Sequence, residues 1–375
     1  MRPSVTEIRQ VRTAPERRVF IRYPWTLHAG HASWVPPLLS EEKRFFDPSR
    51  NHAFSYCDAV MGLAYGSGRV TGRIMGIINH RHNAHSGAKA ARFGFLECPN
   101  DPALARELLH FVEAWARSKG MLKVAGPMGF TDQDPEGYVV EGFEHEPTVA
   151  TYANFPYMSD ILTACGYAKD VDYVVYKVPV PPRVPEVYQR VVDRIAREGH
   201  VRTYEFHSRA ELKPLAGRIL ALMNETFADL YGYVPLDREE MELAAKKFLP
   251  VVDPRFVNFA TVDGRDAAFI LAMPNIDAGL RKANGRLFPF GLPHIMAAAR
   301  RTKQLDLLVA GVKKEYRHYG LAVLGMAIML RAARDAGMEV MDSHLELETN
   351  VRVRAVMERI GGVLCKRYRI FQKVL

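Results

Sequence analysis

Lys303 to Gly362, centred on Arg317-His318-Tyr319-Gly320-Leu321-Ala322, decides how the rest of the chain is read. Upstream, Leu305-Asp306-Leu307-Leu308-Val309-Ala310-Gly311-Val312 is a short apolar run of strand length, rich in branched side chains and bounded by polar residues. Downstream, Leu321 to Ala336 lacks proline and is apolar on most sides, with Arg331, Arg334 and Asp335 in its last turns and Gly337 as a C-terminal stop. The pattern predicts a buried strand, a turn carrying Gly320 and a mostly buried helix. Such a unit makes a phosphate cradle, because the first N–H groups of a helix have no internal partner and the helix dipole adds positive potential there. Gly320 allows close backbone approach, and Arg317, with Lys313 and Lys314 before it, supplies charge for a diphosphate.

Beyond the helix, Glu339 to Glu348 reads as a strand, Asn350 follows, Val351 to Ile360 has helical spacing, Gly361-Gly362 ends it, and Val363 to Leu375 reads as a closing strand pair. Alternation along the strand places His344, Glu346 and Glu348 on one face, as candidates for a base. The spacing Arg-x-x-Gly-x-Ala, in this element order, resembles the acyl-CoA pyrophosphate loop of the GNAT N-acyltransferase superfamily. The resemblance implies an α/β fold with a mixed sheet, built from two GNAT-like units in tandem, and acyl-CoA as co-substrate. It further implies CoA contacts from Val309, Ala310, Val312, Arg317, His318, Tyr319, Gly320, Leu321, Ala322 and Asn350. Tyr368, on the closing strand, is then the candidate proton donor to the departing thiolate.

At 375 residues the chain is long enough for two domains with full cores, since domains commonly run ~100 to 200 residues. A content of 48% apolar and 25% charged residues is that of a globular protein. The net charge of +9 and pI near 9.3 favour anionic partners, whether CoA phosphates, nucleic acid or an anionic membrane surface, and charge alone does not choose among them. No run of 18 apolar residues is present, and the polar, basic Met1 to Arg18 has no apolar centre, so a cytoplasmic location is expected. Cys57, Cys98, Cys165 and Cys365 form no Cys-x-x-Cys pair, against a disulfide framework or a zinc ribbon. His80, His82 and His85 have no ligand-type acid or cysteine beside them and run into Ser86-Gly87, so no metal is expected.

The first half repeats the element order of the second. Asp58 to Tyr65 and Arg69 to Ile78 form a hairpin about Gly66-Ser67-Gly68; a strand Arg92 to Glu97, a helix Asp101 to Lys119, a strand Met121 to Ala125, a helix Tyr157 to Ala164 and a strand Tyr173 to Val178 follow. Where phosphate would sit stands Cys98-Pro99-Asn100-Asp101-Pro102, with two prolines lacking N–H groups and an acidic residue, so this half is expected not to bind CoA. The expected division is 1–178 as a degenerate GNAT-like domain, 179–200 as a Pro-rich linker and helix, and 201–375 as the acyl-CoA-binding domain. Gly279 to Arg301, with Phe288-Pro289-Phe290-Gly291, is an insertion that either covers an acyl chain or fills space.

The whole chain resembles tandem GNAT-like bacterial proteins of the YghO-like group. The resemblance is carried by Tyr23-Pro24-Trp25, Trp34-Val35-Pro36-Pro37-Leu38, Gly72-Arg73-Ile74 with His80-Arg81-His82-Asn83, Gly94-Phe95-Leu96-Glu97, Gly126-Pro127-Met128, and Tyr152-Ala153-Asn154 before Pro156-Tyr157. Bacterial ceramide synthases, which acylate a long-chain sphingoid base from acyl-CoA, belong to this group. The resemblance implies a long-chain primary amine as acceptor and peripheral contact with an anionic inner-membrane face. Trp25, Trp34, Tyr152, Asn154 and Tyr157 are the candidate acceptor contacts. A Fem-like aminoacyl-tRNA-dependent transferase also fits a basic tandem chain, but the cradle in the second half speaks against nucleic acid. A non-catalytic acyl-CoA-binding module is the third reading.

Overall fold

A computed structural model of the chain describes residues 7–148, 151 and 153–375; Tyr152, one of the expected acceptor contacts, lies outside them. Contacts divide the chain into two compact units. The first holds the residues up to Tyr173 with Asp277–Ala297 and Lys366–Leu375, and the second holds Val174–Ile276 with Ala298–Cys365. Most of the insertion and most of the last strand therefore belong with the first unit.

In the first unit, Cys57–Gly66 and Arg69–Asn79 form the expected hairpin. Its two turn residues, Ser67 and Gly68, take φ of 50° and 78°, the left-handed pair whose twist matches that of the flanking strands. Ala90–Glu97 adds antiparallel to the hairpin, and Lys123–Gly126 adds parallel to Ala90–Glu97. A parallel neighbour requires a crossover, which the helix Pro102–Ser118 supplies; it buries Leu104, Leu108, Leu109, Val112 and Ala116 at helical spacing. The last strand closes this sheet, with Phe371–Val374 on Lys123–Gly126 and Arg367–Arg369 on Tyr138–Glu141. The insertion is tied here by Trp25, whose Nε1 donates to Asn284 Oδ1 at 2.9 Å, and by Leu39 N donating to Gly285 O at 2.8 Å.

The second unit is built on the hairpin Val257–Val262 and Arg265–Pro274, turned by Asp263 and Gly264. Val201–Glu205 flanks it on one side and Gln304–Val312 on the other. The period of two sorts its side chains: Val257, Phe259 and Phe269 face the helix Ala216–Phe227, whereas Ala260, Val262, Ala268 and Ile270 face the helix Leu321–Asp335. The stretch 179–200, expected as a Pro-rich linker and helix, lies within this unit. Its helix Glu186–Glu198 buries Tyr188 and Ile195, and the Tyr188 hydroxyl donates to Val356 O at 2.7 Å.

The expected strand from Glu339 to Glu348 is broken. Val340–Asp342 and Glu346–Leu347 are separate, and His344 takes φ of 58°. The cause is local hydrogen bonding: Asp342 Oδ1 accepts from His344 N at 2.9 Å, and Ser343 Oγ accepts from Tyr176 N at 2.9 Å. His344, Glu346 and Glu348 therefore do not share one strand face as alternation suggested.

Candidate functional site

Gln304–Val312 and Val340–Asp342 pair in parallel only over Gln304–Asp306 and Val340–Asp342. A bulge at Leu308, where Leu271 opposes Val309 and Ala272 opposes Leu307, bends the first strand just past that point. A fork opens beyond Asp306. Leu308, Val309 and Val312 are half-buried along it and Ala310 is exposed.

The strand leads through Lys314–Tyr319 into Gly320, which takes φ of 82° and caps the helix Leu321–Asp335 with no side-chain hydrogen bond. The first N–H groups of that helix thus have no side-chain cap among the described residues. A side chain at Gly320 is excluded twice: L residues disfavour this φ, and a Cβ would sit 2.9 Å from Val191 Cγ1. Lys313 and Lys314, expected to add charge, are committed to Glu225 and Asp229. Arg317 and His318 are exposed, and Arg317 has no ion pair among the described residues. Tyr319 is half-buried, Leu321 is buried in the core and Ala322 is exposed.

A second guanidinium stands here that the motif did not contain. Arg194 Nη2 donates to Tyr319 O at 3.4 Å and lies 3.2 Å from where a Gly320 Cβ would be. Only the helical spacing of Glu186–Glu198, which brings Val191 and Ile195 inward, places Arg194 beside the turn.

On the strand remnant after the fork, Glu346 is half-buried and has no polar partner among the described residues. Loss of water lifts its carboxyl to about 8. His344 occupies the left-handed turn, and the Glu348 carbonyl accepts from Arg354 Nη1 at 2.9 Å. Asn350 caps the helix Val351–Arg359, accepting from Val353 N at 3.5 Å. Tyr368 belongs to the first unit, where it is buried and pairs with Val139.

The corresponding place in the first unit has different chemistry. Asp101 Oδ1 accepts from Ala103 N at 3.0 Å and Leu104 N at 3.1 Å, so its own carboxylate caps the helix where phosphate would bind. The fork after Arg92 is filled by chain: Met128 N donates to Phe93 O at 2.8 Å, and a Cβ on Gly94 would lie 2.4 Å from Met128 O.

This unit gathers rings instead. Trp25 meets Trp34 edge-on at 5.3 Å, Trp34 stacks on His28 at 5.0 Å, His28 on Phe155 at 5.0 Å, and Phe155 on Tyr157 at 5.3 Å. Three of the expected acceptor residues, Trp25, Trp34 and Tyr157, thus join one column through His28 and Phe155. Asn154 serves the backbone, bridging Val139 N at 2.7 Å and Val139 O at 3.2 Å. The buried His28 places Nε2 3.5 Å from Glu97 Oε1, and its Nδ1 lies 2.9 Å from His31 Nδ1. Arg73 Nε donates to Glu97 Oε2 at 2.9 Å. Burial opposes a charge on Glu97, but Arg73 and His28 outweigh it and hold the carboxyl below its usual range. Beside His28, Glu97 and Asn154 lies a cavity of about 20 Å³, room for one water. His28, His31 and Phe155 carried no local motif and are visible only once the helix Ala14–Leu27 lies on the sheet.

His80, His82 and His85 sit on a short helix, His80–Ser86, capped by Asn79. His80 Nε2 faces Asp58 at 3.5 Å, and burial pushes His82 down to about 4, so it is neutral near pH 7.

No protein-family model matches the chain. It is 28% identical over 372 residues to the bacterial ceramide synthase of Caulobacter vibrioides, covering 97% of this chain and 96% of that one. It is 25% identical over 365 residues to protein YghO of Escherichia coli, covering 95% and 92%. Among solved structures, a tandem GNAT protein from the clavulanic acid biosynthesis pathway superposes with TM-score 0.53 at 14% identity, covering 98% of both chains. A GCN5-related N-acetyltransferase from Sphaerobacter thermophilus gives TM-score 0.51 at 12% identity, covering 98% and 95%. The chain has the tandem GNAT fold and is similar, over nearly its whole length, to a bacterial ceramide synthase.

Proposed function

We propose that the protein is an acyl-CoA-dependent N-acyltransferase whose acceptor is a long-chain sphingoid base, making an amide of the ceramide type at an anionic membrane face. The observation that carries the first part is the helix Leu321–Asp335, which has no side-chain cap among the described residues and the exposed Arg317 in the turn before it, set against the self-capped helix of the first unit. The CoA diphosphate takes the N–H groups from Gly320 to Ala322 and the guanidinium of Arg317, and the pantetheine arm lies along the open edge of Val309 to Val312. The neutral amine attacks the thioester carbon, the C–N bond forms and the C–S bond breaks. Glu346 is assigned as the base: its carboxyl near 8 matches a proton taken from the nitrogen and passed to the CoA thiolate. His344 and Glu348 flank it in sequence.

The acceptor reading draws on the similarity to the ceramide synthase and on the column of rings in the first unit. Each buried CH₂ contributes ~0.8 kcal/mol, so an alkyl acceptor gains affinity with length while a small polar amine does not. Turnover of long-chain acyl-CoA with amino alcohols of increasing chain length tests this. Rates that rise with length support a lipid base. Acetyl transfer to a polar amine, with every lipid base untouched, rejects the lipid acceptor and leaves acyl transfer in place.

A further inference from the structure

The insertion carries an apolar ridge that nothing among the described residues covers. Phe288 and Phe290 are 76% and 70% exposed, and Leu292 and Met296 are 42% and 48% exposed, so four large apolar side chains crowd into nine residues. Solvent-facing apolar groups are ordinarily scattered, and a cluster marks a surface meant to be covered. The ridge is firmly held. Arg286 N donates to Ala283 O at 2.9 Å, Leu292 N to Leu287 O at 2.8 Å and His294 N to Phe290 O at 3.1 Å. Charge shows what covers it. From Ala278 to Ala297, the part of the insertion in the first unit, the chain has three Lys and Arg residues and no carboxylate. Arg281 is used by Glu146, but Lys282 and Arg286, six and two residues before Phe288, are exposed.

We infer that Phe288, Phe290, Leu292 and Met296 enter the interfacial layer of a bilayer, with Lys282 and Arg286 against anionic headgroups. Aromatic and aliphatic side chains flanked by cations suit that layer, where apolar burial and attraction to anionic lipid act together. A second copy of the chain fits less well. A self-complementary contact would bring the same cations together, and four side chains fall far short of the ~800 Å² per partner of a stable interface. The inference rests on the membrane-face part of the proposed function and gives it residues.

The test is co-sedimentation with vesicles of phosphatidylcholine containing about one quarter phosphatidylglycerol, and with phosphatidylcholine alone. The wild-type protein is expected on the anionic vesicles and released by salt. Phe288→Ser with Phe290→Ser should lower the partition coefficient more than tenfold. Lys282→Glu with Arg286→Glu should lower it and flatten its salt dependence. Unchanged circular dichroism and CoA affinity show that the variants are folded. Wild-type protein that ignores anionic vesicles, or a Phe pair variant that binds them equally, overturns the inference. A wild-type dimer that the Phe pair variant turns into monomer overturns it too, in favour of a second copy. Acyl transfer is measured separately with detergent-dispersed acceptor. Lost vesicle binding with intact turnover affects only the ridge, and absent turnover with intact vesicle binding affects only the proposed function.

Discussion

Arg317→Glu tests the cradle directly. Arg317 is exposed and has no ion pair among the described residues, so replacing it should change folding stability by no more than ~0.5 kcal/mol. A charge-assisted hydrogen bond to phosphate contributes ~1.5 to 3 kcal/mol, and about 1.4 kcal/mol is tenfold in affinity. Its loss alone weakens CoA roughly 10- to 150-fold. The new carboxylate, about 4 Å from a phosphate, adds ~1 kcal/mol of repulsion per charge even at the dielectric constant of water. Arg194 remains beside Tyr319, so binding is weakened rather than abolished. Isothermal titration of CoA into wild type and variant, at low and high salt, reads both the affinity and its salt slope. The variant should bind more than tenfold more weakly, with the gap narrowing at high salt. Equal affinity in a folded variant would refute phosphate binding at this turn.

Glu346→Gln should lower kcat/KM by roughly 10² to 10⁴, the usual worth of a positioned base. A base acts when ionised, so wild-type activity should rise with pH through about 8; a variant that keeps the same rise removes Glu346 from the chemistry. Asp101→Ala should cost ~0.5 to 2 kcal/mol through the lost cap and leave CoA affinity alone, and weaker CoA binding would mean that the first unit takes part. Arg73→Met leaves Glu97 buried without its guanidinium, a loss of ~3 to 5 kcal/mol near pH 7. Glu97 has a lowered pKa in the folded protein, so its pairing stabilises above the unfolded carboxylate range and fades as pH falls through the folded value. The variant's deficit in chemical denaturation should therefore shrink in acid, and an equal deficit at both pH values would show that Arg73 acts by packing alone.

Features fixed by neighbouring residues were legible in the sequence. Ser67-Gly68 and Asp263-Gly264 announce their hairpins through turn chemistry, and Gly320 its left-handed cap. What depends on distant pairing was not. Arg194 reaches the cradle from a helix more than 100 residues earlier, and no spacing rule links the two. His28 and Glu97 meet only because the end of one helix lies over a bulged strand, marked by Phe95 at φ of 54°. The break after Asp342 was hidden because strand patterns read side-chain alternation, whereas Ser343 and Asp342 end the ladder by bonding backbone N–H groups. The resemblance made Tyr368 a donor candidate from its place on the closing strand, whereas its 1% exposure is a property of the strands around it.

The two units share a forked pair of parallel strands and differ in how the chain completes it. In each, a bulged strand pairs with its parallel neighbour for three residues and then diverges, at Arg92 in the first and Asp306 in the second. Open strand edges and bare helix N-termini are unsatisfied backbone, and each must be completed by ligand, water or protein. The first unit completes itself: Asp101 caps the helix and the Met128 amide takes the Phe93 carbonyl. Both changes add hydrogen bonds to the folded chain, and on the proposed reading they stand where a diphosphate and a pantetheine amide would bind. In the second unit the helix start at Gly320 and the strand edge beyond Asp306 have no such completion among the described residues. CoA should therefore stabilise the protein against heat through the second unit, by RT ln(1 + [L]/Kd), about 2.7 kcal/mol at a hundredfold excess over Kd. Two unfolding steps in calorimetry, with only one moved by CoA, would show this asymmetry directly, and a shift of both steps by CoA would contradict it.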